Sequence, residues 1–422
     1  MRIGRRHSTW GAAALALIAA ALLLAAAQGA PAPILRLVVA AGQPAPIAGN
    51  FDRFDLGGQA IAAPSNRAGD VAFFAGLVRG AGQEGLFLAR GGRVAKIAAV
   101  GDRVPGGERI ADFSERPAIA LDAAGEAAFA AALTGGRATS GLFLARDGKL
   151  QPVALSGAAA PDIPGGTLTG FERPVLGEHG GLAFLASVRS GRDTMDAIFN
   201  RSGGRLRKLV AAGDPAPGGG VFSGLGAPAI NDKDVVAFPA IVEQGPVIGG
   251  IYMVAEGQAR IVLAAGAVAP SGGIFAKFSE QIAIDDAGRI VFSAVLRGGP
   301  GAGVFLFDGG TAVALATIGD PAPGGGTFAA FASGPVLSPG GTAAFVASID
   351  GGPSPVAIFA AGKSGLSRIA GAGDALPDGG RLVAFARYPA VAIGPTDAVT
   401  FAALSEAGGR SRDALYYYGP PR

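Results

Sequence analysis

Residues 211–262 read AAGDPAPGGGVFSGLGAPAINDKDVVAFPAIVEQGPVIGGIYMVAEGQARIV, and the architecture of the whole chain follows from them. After an opening Gly-Asp-Pro loop come four short apolar segments separated by turn residues, at 221–230, 235–242, 251–254 and 259–263. Each segment is alternating or fully apolar and contains β-branched or aromatic residues, which is typical of strands and lacks the helical period. The stretch therefore predicts four β-strands.

The same pattern occurs seven times along the chain. Each copy opens with a glycine, and successive opening glycines lie 53 to 59 residues apart: Gly42, Gly101, Gly157, Gly213, Gly266, Gly319 and Gly373. A period of about 50 residues with turns throughout and no helical segment indicates an all-β, seven-bladed β-propeller with one four-stranded blade per repeat. An open β-solenoid is the alternative.

Aromatic residues recur at two fixed positions of the repeat. A type I turn signature follows the first segment, and four residues after it stands an invariant Phe: Phe73, Phe129, Phe184, Phe238, Phe292, Phe345 and Phe401. The third segment carries a second set: Phe87, Phe143, Phe199, Tyr252, Phe305, Phe359 and Tyr416. We expect both sets to be buried.

The two ends of the repeat array complement each other. Residues 34–40 match the fourth segment of a repeat, whereas the seventh copy stops at its third segment, residues 415–418. The N-terminal strand is therefore predicted to complete the last blade and close the ring, within a single propeller over residues 34–422. A solenoid would give no reason for the missing strand.

The N-terminal segment has the features of a signal peptide. Arg2, Arg5 and Arg6 precede an apolar run over residues 11–27, and Ala25 to Ala27 offer a small-residue cleavage site. We expect cleavage after residue 27, a linker over 28–33, and a periplasmic or secreted monomer without membrane insertion. An uncleaved inner-membrane anchor is the alternative, although the run is shorter than the ~20 residues that span a bilayer.

Charge and composition exclude several classes of function. Loss of residues 1–27 removes three arginines and no acid, so the formal net charge falls from +3 to 0. A neutral chain without a basic stripe argues against a nucleic-acid partner. The chain has no Cys and two His, of which only His179 follows the signal, so Cys/His zinc sites and Cys nucleophiles are excluded.

The repeats also resemble those of the bacterial choice-of-anchor tandem repeat proteins of the NxxGxxxxAF type. The resemblance lies in Asn66-x-x-Gly69-x-x-Ala72-Phe73 and its counterpart at Asp122, and it extends over roughly residues 36 to 418. It implies an exported, propeller-like repeat protein and implies no activity.

Candidate ligand-binding residues are carboxylates and arginines. Four opening loops carry an Asp after the glycine: Asp102, Asp214, Asp320 and Asp374. On one face of a propeller they would form a partial acidic ring for a cation, a sugar or a partner. The alternative is structural, with each Asp accepting backbone N–H groups of its own turn. Arg116 and Arg173, each before a Pro of a first strand, are the polar residues predicted to reach the channel, the alternative being solvated arginines at the strand edge.

The expected function is a non-catalytic binding or scaffold module for an extracytoplasmic protein or glycan. No catalytic residue and no cofactor are predicted, calcium being the ion that the acidic loops would take. The alternative is a carboxylate-based glycan hydrolase or lyase that uses the channel and needs paired Asp or Glu.

Overall fold

The computed structural model describes residues 32–56, 58–79, 83–113, 118–332 and 334–421. All the regular structure within these ranges is β-strand, because turn formers interrupt the apolar sequence every few residues. Residues 1–31, which include the predicted signal peptide and most of the linker, lie outside the described residues. Export and the domain boundaries stay predictions.

Each repeat forms one small antiparallel sheet, and the seven sheets are the blades of a propeller. Blade 1 contains β2 (Asn50–Arg53), β3 (Asp55–Leu56), β4 (Gln59–Ala60), β5 (Val71–Val78), β6 (Glu84–Arg90) and β7 (Arg93–Ala99). Blade 2 contains β8 (Arg109–Asp112), β9 (Ile119–Leu121), β10 (Ala127–Thr134), β11 (Ser140–Arg146) and β12 (Lys149–Leu155). Blade 3 contains β13 (Gly166–Leu176), β14 (Leu182–Ser190), β15 (Asp193–Ser202) and β16 (Arg205–Ala211).

The remaining blades repeat this order. Blade 4 contains β17 (Val221–Leu225), β18 (Ala229–Ile230), β19 (Val236–Glu243), β20 (Gly249–Ala255) and β21 (Gln258–Ala264). Blade 5 contains β22 (Ile274–Ile284), β23 (Ile290–Arg297), β24 (Ala302–Asp308) and β25 (Thr311–Thr317). Blade 6 contains β26 (Thr327–Phe331), β27 (Val336–Leu337), β28 (Ala343–Asp350), β29 (Val356–Gly362) and β30 (Gly365–Gly371). Blade 7 contains β31 (Arg381–Ala384), β32 (Val391–Ile393), β33 (Val399–Ala407), β34 (Arg410–Gly419) and, from the N-terminus, β1 (Ile34–Ala40).

The inner strand of several blades consists of two pieces. The sequence predicts one strand over residues 221–230, whereas the structure has β17 and β18 with a break between them. The break has a local cause, because Pro228 has no N–H for the ladder and Ala227 N–H donates to Glu280 O of blade 5 (2.9 Å). Inner strands of neighbouring blades contact one another around the axis.

The hydrophobic core lies between the blades. The described residues contain seven buried clusters, and each combines the facing sides of two neighbouring blades. Both aromatic sets are at most 2% exposed, as predicted. The two sets are also opposite each other in register, as in the pair Phe238 and Tyr252, whose ring centroids are 5.9 Å apart.

The N-terminal strand closes the ring, as predicted. β1 pairs antiparallel with β34, from Ile34 opposite Gly419 to Ala40 opposite Ala414. The seventh cluster joins blade 7 to blade 1 through Val39 and Phe51. The solenoid alternative is therefore wrong.

The blade ends form two faces. Because successive strands run in opposite directions, the loops that enter each inner strand and the connections from second to third strand lie at the same end, which we call the loop face. The turns from first to second strand lie at the other end, the turn face. Hydrogen bonds join blades there: Asn231 Nδ2 donates to Asp285 O (2.9 Å), and Asp232 N donates to Asp286 Oδ1 (3.0 Å).

Candidate functional site

Bulges in the inner strands distinguish the blades from one another. Between the pairs Glu172–Leu185 and Val175–Ala183, the inner strand of blade 3 advances three residues while its partner advances two. Between Phe278–Ala294 and Ile282–Phe292, the inner strand of blade 5 advances four residues and its partner two. In blade 1 the corresponding insertion is the β3–β4 hairpin. Bulges re-aim side chains and are common beside binding sites.

An open groove lies across blades 3, 4 and 5 at the loop face. Its cavity has a volume of about 620 Å³ and is lined by the bulges of these blades and by the ends of β19 and β20. Ile241 and Ile248 line it although they are 61% and 70% exposed. The loop-face groove is therefore largely aliphatic.

A second cavity of about 450 Å³ lies at the mouth of the channel. Its lining comes from blades 1, 3, 5 and 7, including Gln59, Arg173, Lys277, Gln281 and Tyr388. The two cavities have a common boundary, made by Arg173 and four successive residues of blade 5: Lys277, Phe278, Ser279 and Glu280. The groove thus leads into the channel mouth.

Arg173 stands at this boundary, where the sequence placed it near the channel. Among the eight non-glycine residues with positive φ in the described part of the chain, it alone lies inside a strand, with φ 52°. This conformation costs an L-residue about 1–2 kcal/mol. Its side chain is 14% exposed and lies 3.6 Å, NH2 to Oε2, from Glu280, which is 71% exposed. Arg116, the other predicted arginine, lies outside the described residues.

The four loop aspartates bond within their own loops. Asp102, Asp214 and Asp374 each accept a backbone N–H three residues earlier at 2.8 or 2.9 Å and pair with a basic side chain of the preceding strand. Asp320 accepts both the N–H (2.7 Å) and the hydroxyl (2.8 Å) of Thr317. These hydrogen bonds are the ones expected if each Asp stabilises its own turn. A ligand-binding role for the four residues stays a prediction.

Groups suited to a metal are not assembled in the described ranges. There, no three His, Cys, Asp or Glu side chains lie close enough together to hold an ion. His179 lies at the turn face with Nδ1 3.3 Å from Asp232 Oδ2. The calcium prediction has no observation for or against it. No helix in the described part of the chain has the length and apolar character that crossing a bilayer requires.

A small group of carboxylates lies where blade 7 meets blade 1. Asp55 and Asp413 line a cavity of about 190 Å³ together with Phe54 and Phe385. Burial raises the pKa of the Asp413 carboxyl above its ordinary value, and the nearby carboxylates of Asp55 and Asp52 raise it further.

Sequence reasoning missed most residues of the channel mouth. Gln59, Lys277, Glu280 and Tyr388 come from three blades and have no common motif. One sequence signal marks the blades that carry extra residues: the number of residues between the two halves of the inner strand differs among the copies, while the rest of the repeat is regular.

Comparisons with known proteins identify a family. A family model described as a family of unknown function (DUF7453) matches residues 21–302 and 249–417. No curated protein matches the chain. The resemblance to choice-of-anchor repeat proteins is not shown by these matches and stays a prediction.

Several solved structures are distantly similar. Polysaccharide lyase Uly1 has 10% identity and a TM-score of 0.46, covering 90% of this chain and 94% of its own. PorZ, a surface component of the type-IX secretion system of Porphyromonas gingivalis, has 13% identity and a TM-score of 0.45, covering 89% of this chain and 48% of its own. A protein of unknown function from Dyadobacter fermentans has 12% identity and a TM-score of 0.38, covering 78% and 99%. The chain thus spans about half the length of PorZ, and similarity at this level concerns the fold alone.

Proposed function

The chain belongs to DUF7453, a family of unknown function, and from the geometry of its loop face we propose that the protein is a non-catalytic binding module. Its ligand is an extended, apolar peptide segment of another protein, bound in the loop-face groove. The predicted export would place that partner outside the cytoplasm, with the propeller as a monomeric scaffold.

The exposed isoleucines of the groove carry this proposal. Ile241 and Ile248 leave well over half of their surface in water inside a concave site of about 620 Å³. Adjacent exposed aliphatic side chains in a recess are typical of interaction sites. Covering each of them by a partner side chain would contribute about 1.5–3 kcal/mol.

The lining favours a peptide over a sugar chain. Besides the isoleucines, Leu225 lines the groove, and Phe278 is the aromatic side chain among its described lining residues. Sugar hydroxyls would lose hydrogen bonds to water against the aliphatic part of this surface, since the charged side chains of the groove belong to blades 3 and 5. Aliphatic peptide side chains have no such hydrogen bonds to lose and would gain burial.

Panning of a random peptide display library against residues 28–422 tests the proposal. We expect enriched peptides rich in Leu, Ile and Val. Their affinity should fall at least tenfold for the double variant Ile241→Asp/Ile248→Asp, because two buried contacts are lost. Val313→Asp is the matched control, since Val313 is an exposed aliphatic residue (45%) on the outer strand of blade 5 and outside the groove.

Two results would contradict this function. Enriched peptides that bind the double variant as tightly as the parent would show that they bind elsewhere. An array on which the chain binds glycans, together with panning that enriches no peptide, would replace the peptide by a carbohydrate ligand.

A carboxylate-based glycan hydrolase or lyase is the second candidate. Asp55 and Asp413 face one cavity, and the raised pKa of Asp413 is what a general acid requires. However, the cavity of about 190 Å³ is smaller than the ~300 Å³ at which ligand sites usually begin, so we place binding first. Release of oligosaccharides from a polysaccharide panel by the parent, abolished in Asp413→Asn, would reverse this order.

A further inference from the structure

Two cations face the boundary between the loop-face groove and the channel mouth. Arg173 of blade 3 and Lys277 of blade 5 line both cavities. The ion pair of Arg173 with Glu280 is 3.6 Å long, well beyond the 2.7–2.9 Å of a strong charge-assisted hydrogen bond. No described residue forms an ion pair with Lys277. Both cations can therefore take a further anionic partner.

The backbone holds Arg173 at this point at an energetic cost. Its left-handed conformation and the bulge in β13 together direct the side chain into the boundary, where it is largely buried. Backbone strain and bulges of this kind are common at ligand sites. A simple surface arginine would need neither the strain nor the burial.

The β3–β4 hairpin of blade 1 and Tyr388 of blade 7 border the channel mouth together with Arg173. The β3–β4 hairpin of blade 1 is joined there to blade 7 by two backbone hydrogen bonds, Ala60 N to Tyr388 O and Tyr388 N to Gly58 O, both 3.0 Å. A peptide chain that ends at the boundary would place its terminal group among the side chains of the mouth. Chain ends carry a carboxylate or an amine.

The charges select the carboxylate end. Two cations and one carboxylate, Glu280, line the mouth, and Glu280 is mostly exposed and free to turn away into water. Neutral hydrogen-bonding side chains surround them, including those of Ser279, Gln281 and Tyr388. The other acids of the groove, Glu172 and Asp196, belong to blade 3 and do not line the mouth. These two carboxylates repel an anion in the groove itself, so the favourable position for the ligand's carboxylate is the boundary with the mouth.

We propose that the boundary of the two cavities binds the free C-terminal carboxylate of the apolar peptide. Arg173 provides a planar, bidentate donor and Lys277 a second positive charge. This inference rests on the proposed peptide-binding function and adds the end of the chain that is recognised. The carboxylate replaces Glu280 as the partner of Arg173.

Two matched peptides test the inference by titration calorimetry: acetyl-Leu-Val-Ile with a free carboxylate, and the same tripeptide with a C-terminal amide. For the parent chain we expect the acid to bind at least tenfold more tightly than the amide. The preference should disappear in Arg173→Gln, weaken in Lys277→Met, and shrink as salt is raised. Lys363→Met is the control, because Lys363 is an exposed lysine outside the two cavities.

The outcomes separate the two proposals. Equal affinities of acid and amide for the parent, with binding still lost in Ile241→Asp/Ile248→Asp, would overturn the carboxylate inference and leave peptide binding intact. Binding of neither tripeptide would overturn both. Oligogalacturonate that binds in an Arg173-dependent way while neither tripeptide binds would also overturn both and would make the ligand an acidic glycan. Lys277→Met keeps the test valid if Arg173→Gln does not fold.

Discussion

The opening glycine of each repeat has a backbone conformation that favours glycine. All seven have φ between 87° and 94°, a region that side-chain-bearing residues rarely adopt. Gly213 N–H donates to Phe222 O at 2.7 Å and so ties the loop to the inner strand of the same blade. The sequence could predict that these positions matter, because the glycine recurs at the same place in every copy.

Replacing one of these glycines by alanine is expected to destabilise the fold. Gly213→Ala places a Cβ at φ 91° and should cost about 1–2 kcal/mol, measured by urea unfolding. Gly310→Ala is the control, because Gly310 is exposed, has no positive φ and has open space around it. Equal stability of the two variants would contradict the conformational explanation.

The residues of the candidate site could not be predicted in the same way. Arg173 was found because it precedes Pro174 in a first strand, but Lys277 and Tyr388 reach it only after blades 5 and 7 take their places in the ring. A contact between blades leaves no spacing in the sequence. Residues that recur in every copy therefore identified the fold, whereas the candidate site consists of residues that differ between the copies.

At the scale of the elements, the inner strands are the variable part of a regular repeat. The pairing of second and third strands was predictable from aromatic positions, as in Phe292 opposite Phe305. The bulges were not, because unequal spacing among the copies shows that residues are inserted but not where in the inner strand they lie. The β3–β4 hairpin is the largest of these insertions, and it carries Asp55 to the junction of blades 7 and 1.

Because Asp413 lies at this junction, we expect the free energy of unfolding to depend on pH. The pKa of Asp413 is raised in the folded state, so the folded chain binds the proton more tightly than the unfolded chain. Its contribution is most favourable at low pH and is lost as pH rises from the ordinary Asp range, about 4, through the raised value. Asp413→Asn should therefore raise Tm at pH 7, and the gain should vanish as the pH is lowered below about 4.

The control for this prediction is Asp308→Asn, which removes an exposed carboxylate from blade 5. Its Tm should follow that of the parent at every pH. A gain for Asp413→Asn that persists unchanged in acid would show that repacking, and not loss of the charge, stabilises the variant.

At the scale of the whole molecule, the closed ring was predictable from counting. Seven repeats with one strand missing at the end and one spare strand at the start fit a single arrangement, and β1 beside β34 is that arrangement. The hydrogen bonds between the β3–β4 hairpin and blade 7 were not predictable, because they depend on how blades 1 and 7 meet in space.

Removing the closing strand tests the ring directly. A chain without residues 28–40 loses the pairing with β34 and the burial of Val39, which is 1% exposed. We expect a loss of at least about 3 kcal/mol in the free energy of unfolding and association through the open edge of β34. A chain without residues 28–33 is the control, and an added peptide covering residues 32–42 should restore part of the stability. Truncated and control chains of equal stability would contradict closure by β1.

The seam between β1 and β34 also makes the fold sensitive to whether all seven blades have been synthesised. β1 precedes the other strands of the ring along the chain and its partner β34 follows them, so the strands of every blade have to be available before the ring can close. A prematurely terminated chain would leave β1 and the edge of its last blade unpaired, and exposed apolar strands are what chaperones and proteases remove. Quality control can thus distinguish a closed ring from an unclosed one by a single strand.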